Sequence, residues 1–184
     1  MPGGVNAALD RSRKTRAAAG FVIRLAALLV TAGVFIASPL LAQEKADLVR
    51  VVKSERRLYL MKDGKEIDSF RATFGTNPKG HKQRQGDERT PEGRYTLTHK
   101  NLNSSFYKSI HISYPNPQDR EKARNMGVDP GGDIMIHGQK NGVEWLTPLS
   151  QLFNWTNGCV ALTNANMDRV WDSVDPGTPI EIDP

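Results

Sequence analysis

Between Leu48 and Tyr114 the apolar positions recur every second residue or in short runs, which is the period of strands rather than helices. Leu48-Val-Arg-Val-Val52 and Arg57-Leu-Tyr-Leu-Met61 predict two strands, and Asp63-Gly64 predicts a hairpin turn into a third run, Ile67–Phe74. Arg94-Tyr-Thr-Leu-Thr98 and Ser109-Ile-His-Ile-Ser-Tyr114 predict two more, rich in β-branched and aromatic residues. Residues 75–93 between them are dense in Gly, Pro, Lys and Arg and read as a long exposed loop, a kind of segment that tends to carry function. After Tyr114 the texture changes. Gln118–Met126 is helix-friendly, with Gly127 where a helix would stop, and Asp129-Pro-Gly-Gly132 turns into a strand over Asp133–His137. Pro148–Phe153 predicts a helical turn or two, and Gly158–Leu162 a strand. Thr163 or Asn164 can cap a helix whose apolar positions Met167, Val170, Trp171 and Val174 follow a 3.6-residue spacing, and Ile180–Ile182 closes the chain as a strand. The expected fold class is mostly β, a sandwich or mixed sheet with a few short helices.

Residues 1–42 stand apart. Arg11, Arg13, Lys14 and Arg16 precede the apolar stretch Leu25–Ala37, and Ser38-Pro-Leu-Leu-Ala42 supplies a small-residue end. A basic start, a short apolar middle and a small-residue end predict a secretory signal cleaved after Ala42, because the run is short for a membrane-spanning anchor. The expected organisation is a signal peptide over residues 1–42, a linker over 43–47 and a single domain over 48–183. Removing the signal leaves 20 basic and 19 acidic residues of the 25 and 20 in the whole chain. The sequence pI near 9.4 therefore belongs to the targeting segment and gives no reason to expect nucleic-acid binding. A mean hydropathy of −0.50 excludes a polytopic membrane protein, and one cysteine excludes a disulfide scaffold or a Cys-rich metal module.

That cysteine, Cys159, is the main candidate for chemistry. It follows Thr156-Asn157-Gly158, a polar turn in which Gly158 permits unusual backbone geometry, at the start of a predicted strand. A thiol at such a junction is supported on one side and open on the other, and turn amides can face an oxyanion. A small buried hydrophobe is the competing reading of a lone cysteine. A free thiol is mostly protonated at neutral pH and needs a base. Of His81, His99, His111 and His137, only His137 ends a strand and is followed by glycine, so Cys159 and His137 form the most economical dyad. His111 lies within a strand pattern and reads as an ordinary strand histidine, while His81 and His99 read as solvated surface.

Met135-Ile-His137-Gly138, followed some twenty residues later by Thr156-Asn-Gly-Cys-Val-Ala-Leu162, resembles the signature of the L,D-transpeptidase catalytic (YkuD-like) domain. Gly86-Asp-Glu-Arg-Thr-Pro-Glu-Gly-Arg-Tyr95 is similar to that family's Thr-Pro-x-Gly segment, and Pro176-Gly-Thr-Pro-Ile-Glu-Ile182 to its last strand. The resemblance implies a mostly β fold and a cysteine enzyme acting on peptidoglycan stem peptides. It implies Cys159 as nucleophile and His137 as base, the Gly138 carbonyl as the group orienting the imidazole, Thr156 at the Ser/Thr position, and the Gly158 and Cys159 amides at an oxyanion hole. Asn157 and Ala161 depart from the common pattern, where His and Arg stand, and a missing Arg removes a fixed cation from the acceptor side. They match a subgroup with Gly-Cys-hydrophobic-Ala, whose members need not all be cross-linking enzymes.

The expected reaction is acyl transfer through a Cys159 thioester, resolved either by an acceptor amine, as in an L,D-transpeptidase, or by water, as in a carboxypeptidase or amidase. Asn157 and Tyr114 are candidate substrate contacts. Trp145 and Trp155 flank the motif as groove walls or packing. The cations Lys79, His81, Lys82, Arg84 and Arg89 read as a solvated run. No cofactor is expected, and no close His pair or HExxH spacing suggests a metal. The partners expected are peptidoglycan stem peptides in the periplasm or cell-wall space of a bacterium. A non-catalytic wall-binding domain of the same fold is the competing expectation.

Overall fold

The computed structural model describes residues 44–184; the expected signal peptide, residues 1–42, lies outside the described residues. Eight strands form one mixed sheet: β1 Leu48–Val52, β2 Arg57–Lys62, β3 Lys65–Arg71, β4 Gly93–Ser104, β5 Tyr107–Ile112, β6 Met135–His137, β7 Val160–Ala161 and β8 Pro179–Asp183. Their spatial order is β3-β2-β1-β8-β4-β5-β6-β7. β1 pairs with β8, and β6 with β7, in parallel; the other neighbours are antiparallel. Three short helices complete the domain: α1 Pro117–Asn125, α2 Thr147–Ser150 after a single 3-10 turn, and α3 Asn164–Ser173.

Period-2 patterning puts Val49, Val51, Leu58, Leu60, Leu97, Ile110, Ile112, Ile180 and Ile182 into one core. α3 adds Met167 and Val170 to it, and Val174 follows at its C-terminus. Thr163 is the residue that caps α3, its hydroxyl accepting from the Asn166 N–H at 3.2 Å. α1 begins with a capping box: the Asn116 side chain accepts from the Asp119 N–H, and the Asp119 carboxylate accepts from the Asn116 N–H.

Three expectations need correction. The strand expected over Arg94–Thr98 runs from Gly93 to Ser104, because its first part pairs with β8 and the rest with β5, where the register shifts after Leu97 and again after Asn101. The run Ile67–Phe74 stops as a strand at Arg71; Thr73 then bridges Ala161 and Gly75 bridges Thr156, so this segment leaves β2 to run beside the β7 region. Residues 75–92 are a loop with many exposed positions, as expected, but its cations are not all solvated. Lys82 is 3% exposed, its Nζ 2.8 Å from the Asp87 carboxylate. That carboxylate also accepts from the N–H groups of Gln83, Arg84 and Arg89. His81 donates through Nε2 to Asp119 at 3.1 Å and accepts the Glu92 N–H at Nδ1. A second cation fixes the segment: buried Lys53 lies 2.5 Å from Glu92 and donates to the carbonyls of Pro78 and Gly80.

Candidate active site

The segment 75–92 lies against the turn that carries Cys159. A Cβ on Gly75 would fall 2.0 Å from the Glu88 carbonyl oxygen, and one on Gly158 would fall 2.6 Å from that of Arg89. Only glycine permits this approach, and at Gly158 the backbone also sits at φ +129°, which favours glycine. Thr156 closes the turn: its hydroxyl donates to the Cys159 carbonyl at 2.8 Å and accepts the Gly158 N–H at 3.2 Å. The Gly158 amide is thus already engaged, which leaves the Cys159 amide as the better oxyanion donor of the two expected.

β6 and β7 pair in parallel, Ile136 opposite Val160 and His137 opposite Ala161. Cys159, one residue before β7, and His137, the last of β6, therefore line the same cavity of about 780 Å³. His137 is 4% exposed. Its Nδ1 lies 2.7 Å from the Gly138 carbonyl, which can only accept, so Nδ1 carries the proton and Nε2 is the basic nitrogen. Phe106 and Trp155 hold the imidazole from two sides, at centroid distances of 4.6 and 5.8 Å. Gly138 allows the β4–β5 turn to close over it: an added Cβ would lie 2.7 Å from Asn164 Oδ1 and 2.9 Å from Tyr107 Cβ.

Cys159 is half-buried, and its thiol donates to the Asp133 carbonyl at 3.6 Å. Burial pushes that thiol up from its usual range; the Met135 N–H and the charge of Lys82 pull it down, and the charge of Asp133 pushes it further up. Burial lowers His137, and its bond to the Gly138 carbonyl opposes that only in part. Both shifts favour the uncharged forms. Burial thus works against a standing thiolate–imidazolium pair among the groups of this cavity.

The model of the YkuD L,D-transpeptidase catalytic domain matches residues 46–182. The chain belongs to the L,D-transpeptidase catalytic-domain family. YafK of Escherichia coli strain K12, whose name carries a provisional L,D-transpeptidase assignment, is 32% identical over 132 residues, which is 68% of this chain and 46% of the relative. This chain thus spans about half the length of the curated relatives it matches. The helical cell shape determining protein Pgp2 of Campylobacter jejuni is 27% identical with a TM-score of 0.55, over 73% of this chain and 46% of that one. Bd1075 of Bdellovibrio bacteriovorus, at 23% identity and a TM-score of 0.51 over 77% of this chain and 51% of that one, is similar in fold.

Of the other expected contacts, Asn157 is exposed and lines the cavity. Tyr114 does not line it: the side chain is buried, and its hydroxyl donates to the Pro130 carbonyl. Trp155 walls the cavity, whereas Trp145 is 76% exposed. His111 stacks on His99 at 4.8 Å on the β4–β5 surface, and burial lowers its pKa. The turn residues Ser104–Phe106, together with Asp133 and Lys140, also line the cavity, and the sequence does not single them out. Their one signal is the polar run Asn101–Ser105, unusual for the end of a strand. A larger cavity, about 920 Å³, lies at His81, Tyr95 and Asp119, but neither Cys159 nor His137 lines it. Among the described residues, no three His, Cys, Asp or Glu side chains gather to hold a metal ion, and no helix is long and apolar enough to cross a membrane.

Proposed function

We propose that the protein is an exported cysteine acyltransferase that acts on peptidoglycan stem peptides in the periplasm or cell-wall space. The observation that supports this reading is the shared cavity of Cys159 and His137, with Nδ1 of the imidazole tied to Gly138. The Cys159 sulfur attacks the carbonyl carbon of the stem's third residue, a diamino acid, where it is joined to a terminal D-Ala. His137 Nε2 takes the thiol proton during attack, and the Cys159 amide stabilises the oxyanion; one such donor is worth about 3 kcal/mol. The C–N bond breaks, His137 returns the proton to the leaving D-Ala amine, and a thioester remains on Cys159. An amine of a second stem resolves it to a cross-link, whereas water resolves it to a shortened peptide. Asn157 and Ala161 leave the acceptor side without a fixed cation, so hydrolysis is the second reading.

Incubation with a tetrapeptide stem, with and without an acceptor peptide, separates the outcomes by product mass. Transfer gives a dimer, and hydrolysis gives a tripeptide. Cys159→Ser and His137→Ala each abolish both products while the fold, followed by circular dichroism, persists. Turnover at the parent rate in either variant removes that residue from the mechanism.

A further inference from the structure

Asp133 is the acidic residue among those lining this cavity, the reaction does not use it, and it is costly where it stands. Its backbone sits at φ +55°, in the left-handed region that a non-glycine residue rarely adopts, directly after Gly131 and Gly132. Its carbonyl receives the Cys159 thiol, and its negative charge disfavours the thiolate that attack requires. The side chain is exposed, and among the described residues it has no hydrogen-bond or ion-pair partner. It lines both the Cys159 cavity and an adjoining cavity of about 350 Å³. The charges there are otherwise accounted for. Lys82 is paired with Asp87, and Glu88, an exposed carboxylate that lines only the adjoining cavity, accepts a hydrogen bond from the Thr76 hydroxyl. An exposed carboxylate without a protein partner thus stands near the sulfur at the junction of two cavities, and an ammonium group is the ligand chemistry that complements its charge.

We propose that Asp133 is a specificity-determining residue that pairs with the free side-chain ammonium of the diamino acid whose carbonyl is attacked by Cys159. This rests on the acyl-transfer reading above. The ion pair would do two things. It selects stems whose side-chain amine is unmodified, and it cancels the negative field at the sulfur only when such a stem is bound. The other charged or titratable groups facing the sulfur are His137, Lys82 and, across the cavity, Lys140; none is an anion that could take this role.

The test is a binding comparison in which no turnover occurs. On a Cys159→Ala background, titration calorimetry measures a tetrapeptide stem with its side-chain amine free and the same peptide with that amine acetylated. With Asp133 in place, acetylation weakens binding about fivefold, as expected for a partly exposed ion pair. With Asp133→Asn added, the two peptides bind alike. Asparagine tolerates the left-handed backbone, so this substitution removes charge and keeps the turn. A difference between peptides that survives Asp133→Asn, or no difference in either protein, overturns the assignment. Failure of the acyl-transfer reading appears separately, as absence of product or thioester in the parent protein with either peptide.

Discussion

Replacing Lys53 by methionine tests whether one buried cation holds the segment that packs against the Cys159 turn. Lys53 ends the first apolar run, its side chain is 3% exposed, and its Nζ lies 2.5 Å from Glu92, which is 20% exposed. The same ammonium donates to the carbonyls of Pro78 and Gly80 at 2.9 and 3.0 Å. Methionine fills similar volume but leaves Glu92 and both carbonyls without their donor. Removing one partner of a buried pair costs about 3–5 kcal/mol. Glu92 retains some access to water, so the lower end, about 3 kcal/mol, is expected. At about 4 °C per kcal/mol for a domain of this size, Tm falls by about 12 °C. The loss should reach function, because the loosened segment presents Glu88 and Arg89 to Gly75 and Gly158 beside Cys159. Calorimetry, together with turnover measured well below the transition, reads both effects. Adding Glu92→Leu removes the stranded carboxylate and recovers most of the stability. A Tm shift under about 3 °C in Lys53→Met, under 1 kcal/mol on the same scale, refutes the reasoning.

Gly158→Ala forces a Cβ to within 2.6 Å of the Arg89 carbonyl at a φ of +129°. Left-handed strain of about 1–2 kcal/mol and overpacking of about 1–3 kcal/mol lower stability by about 3 kcal/mol, read as a shifted urea midpoint. Turnover falls more than tenfold, and parent-like activity with an unshifted midpoint contradicts the close approach. The pH dependence follows from two directions. Burial lowers His137, so the base stays neutral and kcat/KM holds as pH falls through the usual imidazole range near 6.5, dropping only below it. Burial raises Cys159, so alkylation by iodoacetamide has its midpoint above the usual thiol range. Full alkylation already at pH 6 would instead indicate a thiolate–imidazolium pair.

Much of this was legible in the chain itself. Strand period, the Asp63-Gly64 turn and the Thr163 cap are interactions over a few residues, and the elements they predict are present. Ile-His-Gly and Thr-Asn-Gly-Cys likewise mark strand ends and a tight turn by residue type alone, and the structure brings them to one cavity. Charge was the least legible feature. Lys82 and His81 read as solvated in the chain; Lys82 meets Asp87 five positions on, whereas His81 and the buried Lys53 find partners far along it. Glu92 is 39 positions from Lys53, and Asp119 is 38 from His81. Whether a cation is exposed or buried depends on which carboxylate the fold carries to it, and that is decided by chain crossings, not by local pattern. The same holds for β4, whose length is set by having β8 on one half and β5 on the other, and for Tyr114, drawn to the Pro130 carbonyl and away from the thiol. The chain alone determined which residues could react and which elements would carry them. Tertiary packing decided which charges lie beside the sulfur, because electrostatic neighbours are set by distance in space.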